Sequence, residues 1–382
     1  MLYILKNLKR SNNQWVYRNT SAVKKVLVQR RVDFKEMVNI EETIKICAAE
    51  NGVILIPNAM SSPTIEIVEK CNKAGVQVIL PRGFLNFGER YRYNCVMGDV
   101  FSAIAKILYV FRGAGKVNVA LYGTNVNSQD DVLLTDAFLA QNSFADGVVF
   151  CNDGSISTCF DNFFSRKPFD AVICANDYVA LHLINTLRER NQNYLERLSI
   201  VSFSNTFLSY MSRIPFTSLT PDLNAVANAV VDIYKIVNRE KKLYCALMFY
   251  VEYQIFERQT TRGLSFHESN FSYENQDVFF PTVRSLDESN AYDASPEIAK
   301  ISKIDLFLNH LTNMDFSILM RAMKGQTWEC ISEEMFISRE TVSYHLKKMR
   351  TGLNCNSTKE LCSQLGEIVI PRHIENFLEA QE

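Results

Sequence analysis
Six side chains between Arg339 and Arg350 could do polar work on one surface: Arg339, Ser343, Tyr344, Lys347, Lys348 and Arg350. Interleaved with them, Val342, Leu346, Met349 and Leu353 fall at i, i+4, i+7 and i+11, one face of a helix. A helix held by its apolar face, offering cations and hydrogen-bonding groups on the other, suits the major groove of duplex DNA. A small helical bundle with a solvated basic face has the same pattern, so this helix by itself leaves both readings open.

Residues able to do covalent chemistry are dispersed. Five histidines (His182, His267, His310, His345 and His373) have no nearby Cys or Ser with an orienting acid. The carboxylate pairs Asp130–Asp131 and Glu333–Glu334 are consecutive, so on a helix they splay about 100° apart and cannot cooperate. No GxGxxG, P-loop, GxSxG or HExxH occurs, and no acidic pocket with a following lysine marks a response regulator. The ten cysteines form no CxxC pair, and Cys174 in AVICA reads as a small buried hydrophobe. An enzyme is not expected, and neither is a metal or cofactor.

Capping chemistry sets the helices around the basic segment. Thr312 with Asp315, and Ser357 with Glu360, are capping-box patterns; Thr327 and Ser338 are further N-cap candidates, each followed by a glutamate. Gly325 falls where the first helix must end. Helices are expected at 312–324, 327–335, 338–352 and 357–368, with Phe336–Ile337 as the tight turn of a helix-turn-helix.

At 382 residues, two domains are the natural expectation, and a net charge of −1 requires any DNA surface to be local. No export signal and no run of eighteen apolar residues is present, which points to a cytoplasmic, reduced protein with no membrane contact. From residue 24 to 260, strands are expected at Val26–Gln29, Val53–Ile56, Val76–Leu80, Val117–Tyr122, Gly147–Phe150, Ala171–Ala175 and Ile200–Phe203. Helices are expected near 36–50, 62–74, 98–112, 129–141, 177–190 and 222–239. This alternation is the mark of parallel sheets covered on both faces, and two such sheets make a bilobed α/β unit with a cleft. Residues 264–297 are polar, acidic and rich in Ser and Asn, which reads as a linker. Its aromatics (Phe266, Phe271, Tyr273, Phe279 and Phe280) suggest contact with a neighbouring domain.

The stretch LTNMDFSILMRAMKGQTWECISEEMFISRETVSYHLKKMRTGLNCNSTKEL resembles the LuxR-type (GerE-like) helix-turn-helix family. The resemblance implies that 338–352 is the recognition helix, with Ser343, Tyr344 and Lys347 facing bases and Thr341, His345 and Lys348 nearer the DNA backbone. A lysine is usual in the family after Thr-Val; Ser343 stands there, removing a phosphate or guanine contact. His345 reads as a helix-packing or phosphate-contacting residue.

ENGVILIPNAMSSPTIEIVEKCNKAGVQVILPRG, FDAVICANDYVALHLINTLRER, LSIVSFSNT, IPFTSLTPDLNAVANAVVDI and YQIFERQTTR look like successive parts of the LacI/GalR effector domain, a periplasmic-binding-protein-like fold. The family's own N-terminal DNA-binding domain is absent. By this resemblance Asn176 and Asp177 open a loop facing the cleft, where an amide and a carboxylate suit hydroxyl-rich ligands; as a helix cap, Asn-Asp needs no ligand. Asn127, Ser128 and Asp130 are further cleft candidates. The family's G-F-D aspartate is Ser204 here, followed by Asn205, and the arginine expected near 134 is Leu134, which weakens a typical sugar site. The first strand and helix are compressed into residues 1–25 or lost.

The sequence therefore predicts residues 1–263 as a bilobed α/β sensor, 264–297 as a linker, and 298–382 as an all-α, four-helix DNA-binding domain. The expected protein is a homodimeric transcriptional regulator of double-stranded DNA, controlled by a small-molecule effector of carbohydrate type. The rival is a solute-sensing or protein-interaction module that does not touch DNA.

Overall fold
The computed structural model describes residues 1–6, 14–57, 62–82, 91–141, 148–166, 168–240, 246–267 and 295–380. The chain first lays down β1 (Leu2–Leu5), α1 (Gln14–Gln29), β2 (Phe34–Met37), α2 (Ile40–Glu50), β3 (Val53–Leu55), α3 (Ser62–Lys73), β4 (Gln77–Leu80) and β5 (Asn94–Gly98). It then crosses into a second lobe as α4 (Val100–Gly113), β6 (Val119–Thr124), α5 (Gln129–Gln141), β7 (Val148–Cys151), α6 (Ile156–Phe164) and β8 (Ala171–Cys174). The same lobe continues with α7 (Asp177–Arg190), α8 (Gln192–Arg197), β9 (Ser199–Phe203), α9 (Phe207–Met211) and β10 (Thr217–Pro221). A second crossing returns α10 (Leu223–Arg239) and β11 (Met248–Val251) to the first lobe, and a third delivers β12 (Tyr253–Phe256) to the second.

The sheets are six-stranded, ordered β11-β5-β4-β3-β1-β2 and β12-β10-β9-β8-β6-β7. Every pairing is parallel except β10 with β12. Strands such as Ala171–Cys174 are buried along their whole length, as a sheet covered on both faces requires. Gly123 has φ +77°, and a Cβ there would collide with Val179 of α7, so only glycine lets that helix lie on β6.

In the first lobe one open alternative is decided and one expectation is corrected. Its first strand is present as β1, paired with both β2 and β3, and its first helix as α1. Val26–Gln29, expected as a strand, is the end of that helix. The β-branched run VLVQ favours a strand locally, but Val23, Val26 and Leu27 share one helical face buried against α10, while Val28 is 67% exposed. Packing overrides propensity here. The sequence pattern also did not mark β2, β5, β10, β11, β12 or α6. β2 and β12 are short, with burial confined to part of each strand, so they carry little periodic signal.

The C-terminal helices are α11 (Pro296–Asn309), α12 (Asn313–Met323), α13 (Trp328–Glu334), α14 (Arg339–Leu353), α15 (Thr358–Gly366) and α16 (Pro371–Glu379). Four of them match the expected set, with α11 and α16 flanking it. Thr312 and Asp315 form a full capping box, and Ser338, Thr327 and Ser357 each cap their helix by side chain. Gly325, at φ +82°, follows the end of α12 in the left-handed conformation a helix terminus favours. Phe266 is fully buried and meets Phe111 edge-on with ring centroids 6.3 Å apart, so that part of the expected linker packs on the second lobe. Phe271, Tyr273, Phe279 and Phe280 lie outside the described residues. Among the described residues no helix is long and apolar enough to cross a membrane.

Candidate functional sites: the interlobe cleft and the recognition helix
Between the lobes lies a cavity of about 290 Å³. The first lobe contributes Arg18 of α1, Arg82 after β4 and Gly98 at the end of β5; the second contributes Ser128, Asp130, Asn176, Tyr178, Ser204 and Thr206. Most of these follow the carboxyl ends of parallel strands, where open sheets bind small molecules. Arg82 spans the gap: its Nε donates to Asp130 Oδ1 at 3.1 Å, and its Nη2 pairs with the second carboxylate oxygen. Arg18 also crosses, donating from Nη1 to the Asn205 carbonyl at 3.3 Å.

The residues expected to bind a ligand divide into two groups. Ser128, Asp130, Asn176 and Ser204 line the cavity, and Leu134 stands in its wall. Asn176 also caps α7, its Oδ1 accepting from the Tyr178 and Val179 amides at 3.0 and 3.1 Å. Asp177, Asn205 and Asn127 are not in the wall. Asp177 is fully buried and points into the second lobe, where Ser202, Ser218, and the amide and hydroxyl of Thr206 all donate to it. Burial raises its pKa, opposed by those four bonds, so it is a structural anchor for the loop after β9. Asn205 is engaged through Oδ1 by Arg258 Nη2 at 2.7 Å. Asn127 is exposed, its amide donating to Asn125 Oδ1 at 2.9 Å in the turn before α5. Sequence reasoning missed Arg18, Arg82 and Tyr178. Arg18 was hidden because its helix was not recognised, whereas Arg82 follows a strand end in LPRG and could have been found there.

The cleft wall continues into the helical unit. Tyr178 donates from its hydroxyl to Asp305 Oδ2 of α11 at 3.2 Å. The loop carrying Ser204 and Asn205, both at positive φ, leads into α9. On α9, Phe207 and Tyr210 pack against Phe377 of α16 at 5.4 and 5.6 Å, and Phe207 meets Phe316 of α12 at 5.8 Å. Backbone bonds seal the junction: Ile370 N donates to Met211 O at 3.2 Å and Arg213 N to Ile368 O at 3.1 Å. The buried apolar cluster of the second lobe thus runs without a break into α11, α12, α14 and α15.

On α14, Val342, Leu346 and Met349 are fully buried and Leu353 nearly so, as the spacing required. Tyr344 is 66% exposed, Lys347 is exposed, and Ser343 is half-buried on the outer side. Two residues expected near the DNA backbone bond to a carboxylate of the unit itself, His345 half-buried and Lys348 exposed. His345 Nδ1 lies 2.7 Å from Asp315 Oδ1, and Lys348 Nζ donates to Asp315 Oδ2 at 2.7 Å. The cause is the capping box, which fixes a buried carboxylate that needs cationic partners. Burial pushes the Asp315 carboxyl up, but the bonds from Lys348, His345 and Thr312 outweigh it and bring it down to about 2. Arg339 pairs with Glu329 at 3.3 Å, Arg350 donates to the Asn356 carbonyl at 3.2 Å, and Thr341 sits in the first turn with its amide capped by Ser338. Phe336, in the turn before α14, has φ +53° and is 96% exposed. Among the described residues no group of three or more His, Cys, Asp or Glu could hold a metal.

Comparison with known proteins gives each half a relationship. Residues 309–364 match the family described as bacterial regulatory proteins, luxR family. Residues 126–241 match the periplasmic binding protein-like domain. Neither is an enzyme family. A segment of 99 residues is 30% identical to the HTH-type transcriptional regulator RegA of Clostridium saccharobutylicum, covering 25% of this chain and 29% of that protein's length. In three dimensions the chain is similar over 68% of its length to the Lac repressor bound to ONPG (TM-score 0.52, 13% identity, 81% of that chain). Similar over the same share are the regulator CelR in complex with cellobiose (0.52, 15%, 84%) and CcpA of Weissella paramesenteroides with bound sucrose (0.51, 14%, 97%). At these identities the likeness is one of fold. The chain therefore joins a LacI-like, periplasmic-binding-protein fold to a LuxR-family helix-turn-helix domain on its C-terminal side.

Proposed function
We propose that this protein is a cytoplasmic, homodimeric transcriptional regulator whose α14 reads operator DNA and whose interlobe cleft takes a small-molecule effector. Exposed Tyr344 and Lys347, with Ser343, supply the base-reading groups of α14. His345 and Lys348 brace the unit through Asp315, and phosphate contacts from the remaining cations make binding salt-dependent. Two of the relatives of this fold carry cellobiose and sucrose, in keeping with an effector of carbohydrate size.

The observation that carries this reading is the Tyr178–Asp305 bond, because one partner forms the cleft wall and the other belongs to α11, which packs beneath the helix-turn-helix. A ligand that shifts Tyr178, or the 204–206 loop ahead of α9, must move or release the helical unit, since packed interfaces rearrange between discrete states. Two helices in a dimer would then match or miss successive half-sites.

The test is gel retardation and footprinting on genomic fragments, with and without small solutes. Lys347→Ala with Tyr344→Ala is expected to abolish specific protection, a loss of roughly 2–6 kcal/mol at about 1–3 kcal/mol per base contact, while the melting temperature stays unchanged. Protection that persists in the double variant removes α14 as the reading helix; no protected site under any solute condition favours a helical unit that contacts protein.

A further inference from the structure
We propose that the ligand of the interlobe cleft is anionic, a small solute bearing a carboxylate or phosphate group, and that Arg18 is its principal counter-charge with Lys25 in support. This deepens, and rests on, the reading of the cleft as an effector site.

Arg18 and Lys25 are seven residues apart on α1 and so share one face. Arg18 lines the cleft and also the groove that opens from it along α1 and the crossover strands; Lys25, exposed, lines that groove. The acidic groups on these walls are already committed. Asp130 is bidentate with Arg82, Asp131 accepts from the Asn125 amide at 2.8 Å, and Asp222 caps α10 through the Asn224 and Ala225 amides. Arg18 has no carboxylate within ion-pair distance among the described residues, and its one hydrogen bond runs 3.3 Å to a neutral carbonyl. A guanidinium carries five donors, so most of this fork is available to a ligand.

Burial lowers the Arg18 pKa, with Tyr210, Asp305 and Asp177 acting on it through space in the opposite sense. Neither carboxyl forms an ion pair with Arg18 or lines the cleft: Asp177 is held by Ser202, Ser218 and Thr206, and Asp305 by Tyr178 and Asn309. A partly desolvated cation without a counter-ion is costly, and a bidentate anion from solution offsets that cost. The position of Arg18 also gives such an anion leverage. Bound there, it competes with the carbonyl of Asn205, in the loop that leads into α9 and the docked helical unit.

The experiment titrates the full chain calorimetrically and by thermal shift with glucose, gluconate, glucose 6-phosphate and inorganic phosphate. Saturable binding of gluconate or glucose 6-phosphate, with glucose at least tenfold weaker, is the expected result; which acid prevails separates carboxylate from phosphate. Arg18→Met is expected to weaken acid binding by roughly tenfold or more, Arg18→Lys less, and Lys25→Met by roughly threefold. The ligand-free melting temperature of each variant reports folding. Glucose binding as tightly as its acids, or acid binding untouched by Arg18→Met yet lost on Ser204→Trp, overturns the anionic assignment and leaves the cleft as the site. Binding of none of the probes, together with operator affinity indifferent to all of them, overturns the assignment and the cleft reading alike.

Discussion
Buried carboxyls mark the points where this molecule is tied together, and two of them titrate in opposite directions. Asp315 is fully buried but meets Lys348, His345 and Thr312, and its pKa falls to about 2. Its pKa in the unfolded chain is about 3.9. A depressed folded value means stability present above the unfolded pKa and lost as pH falls through the folded one, so the helical unit should weaken between about pH 4 and pH 2. The contribution is on the order of 2 kcal/mol. Urea unfolding of Asp315→Asn between pH 7 and pH 2 should show lower stability at neutral pH and a flatter acid limb. Among the described residues Asp305 has Tyr178 and Asn309 as side-chain partners, and its second carboxylate oxygen has none. Burial, then the neighbouring Asp177 charge, pushes it up to about 7. With the folded value raised, stability is highest below the unfolded pKa and declines as pH climbs from about 4 to about 7, a decline that Asp305→Asn should remove in the same measurement.

At the scale of elements, α9, α11 and α16 decide how the C-terminal helical unit is mounted. Phe377 closes a ring of aromatics with Phe207, Tyr210 and Phe316, the last at 5.3 Å. Because Phe377 is only partly buried, Phe377→Ala should cost about 2 kcal/mol, less than a full core truncation. The loss should be local: amide exchange should speed up in α16 and at the β-bridge between Ser212 and Val369, while β6 and β8 stay protected. Equal acceleration throughout the second lobe would mean that the two units unfold as one. The short turn-capping elements here were legible in advance, because a Thr or Ser three residues ahead of an acid is a local signal. The docking was not, because no local pattern says which face of α16 meets α9.

At the scale of the whole molecule, the two lobes beneath the helical unit are joined by three crossings, so closure is set by a few groups that reach across. Among the described residues, Arg82 with Asp130 and Arg18 with Asn205 do so by hydrogen bonds. The Arg82–Asp130 pair is partly exposed, at 31% and 45%, so it is worth no more than about 0.5–1 kcal/mol. Arg82→Met should therefore shift the balance of open and closed lobes two- to fivefold, seen as a larger radius of gyration in solution scattering. Raising the salt should narrow the difference from the parent protein. An unchanged radius at low salt would show that the crossings alone set the lobe angle.

The sequence by itself determined the fold class, most of the central strands and helices of both lobes, and the buried face and caps of α14, because each is written in spacing within one segment. Periodicity is local, and a capping residue acts within one helical turn. Only the tertiary structure decided that Val26–Gln29 is helical, that Asp177 faces the core while Arg18, Arg82 and Tyr178 face the cleft, and that His345 and Lys348 bond to Asp315. Each of these depends on what a distant segment brings alongside, whether a partner helix for α1, serine hydroxyls for Asp177 or a capping carboxylate for α14, and spacing within one segment carries no record of that.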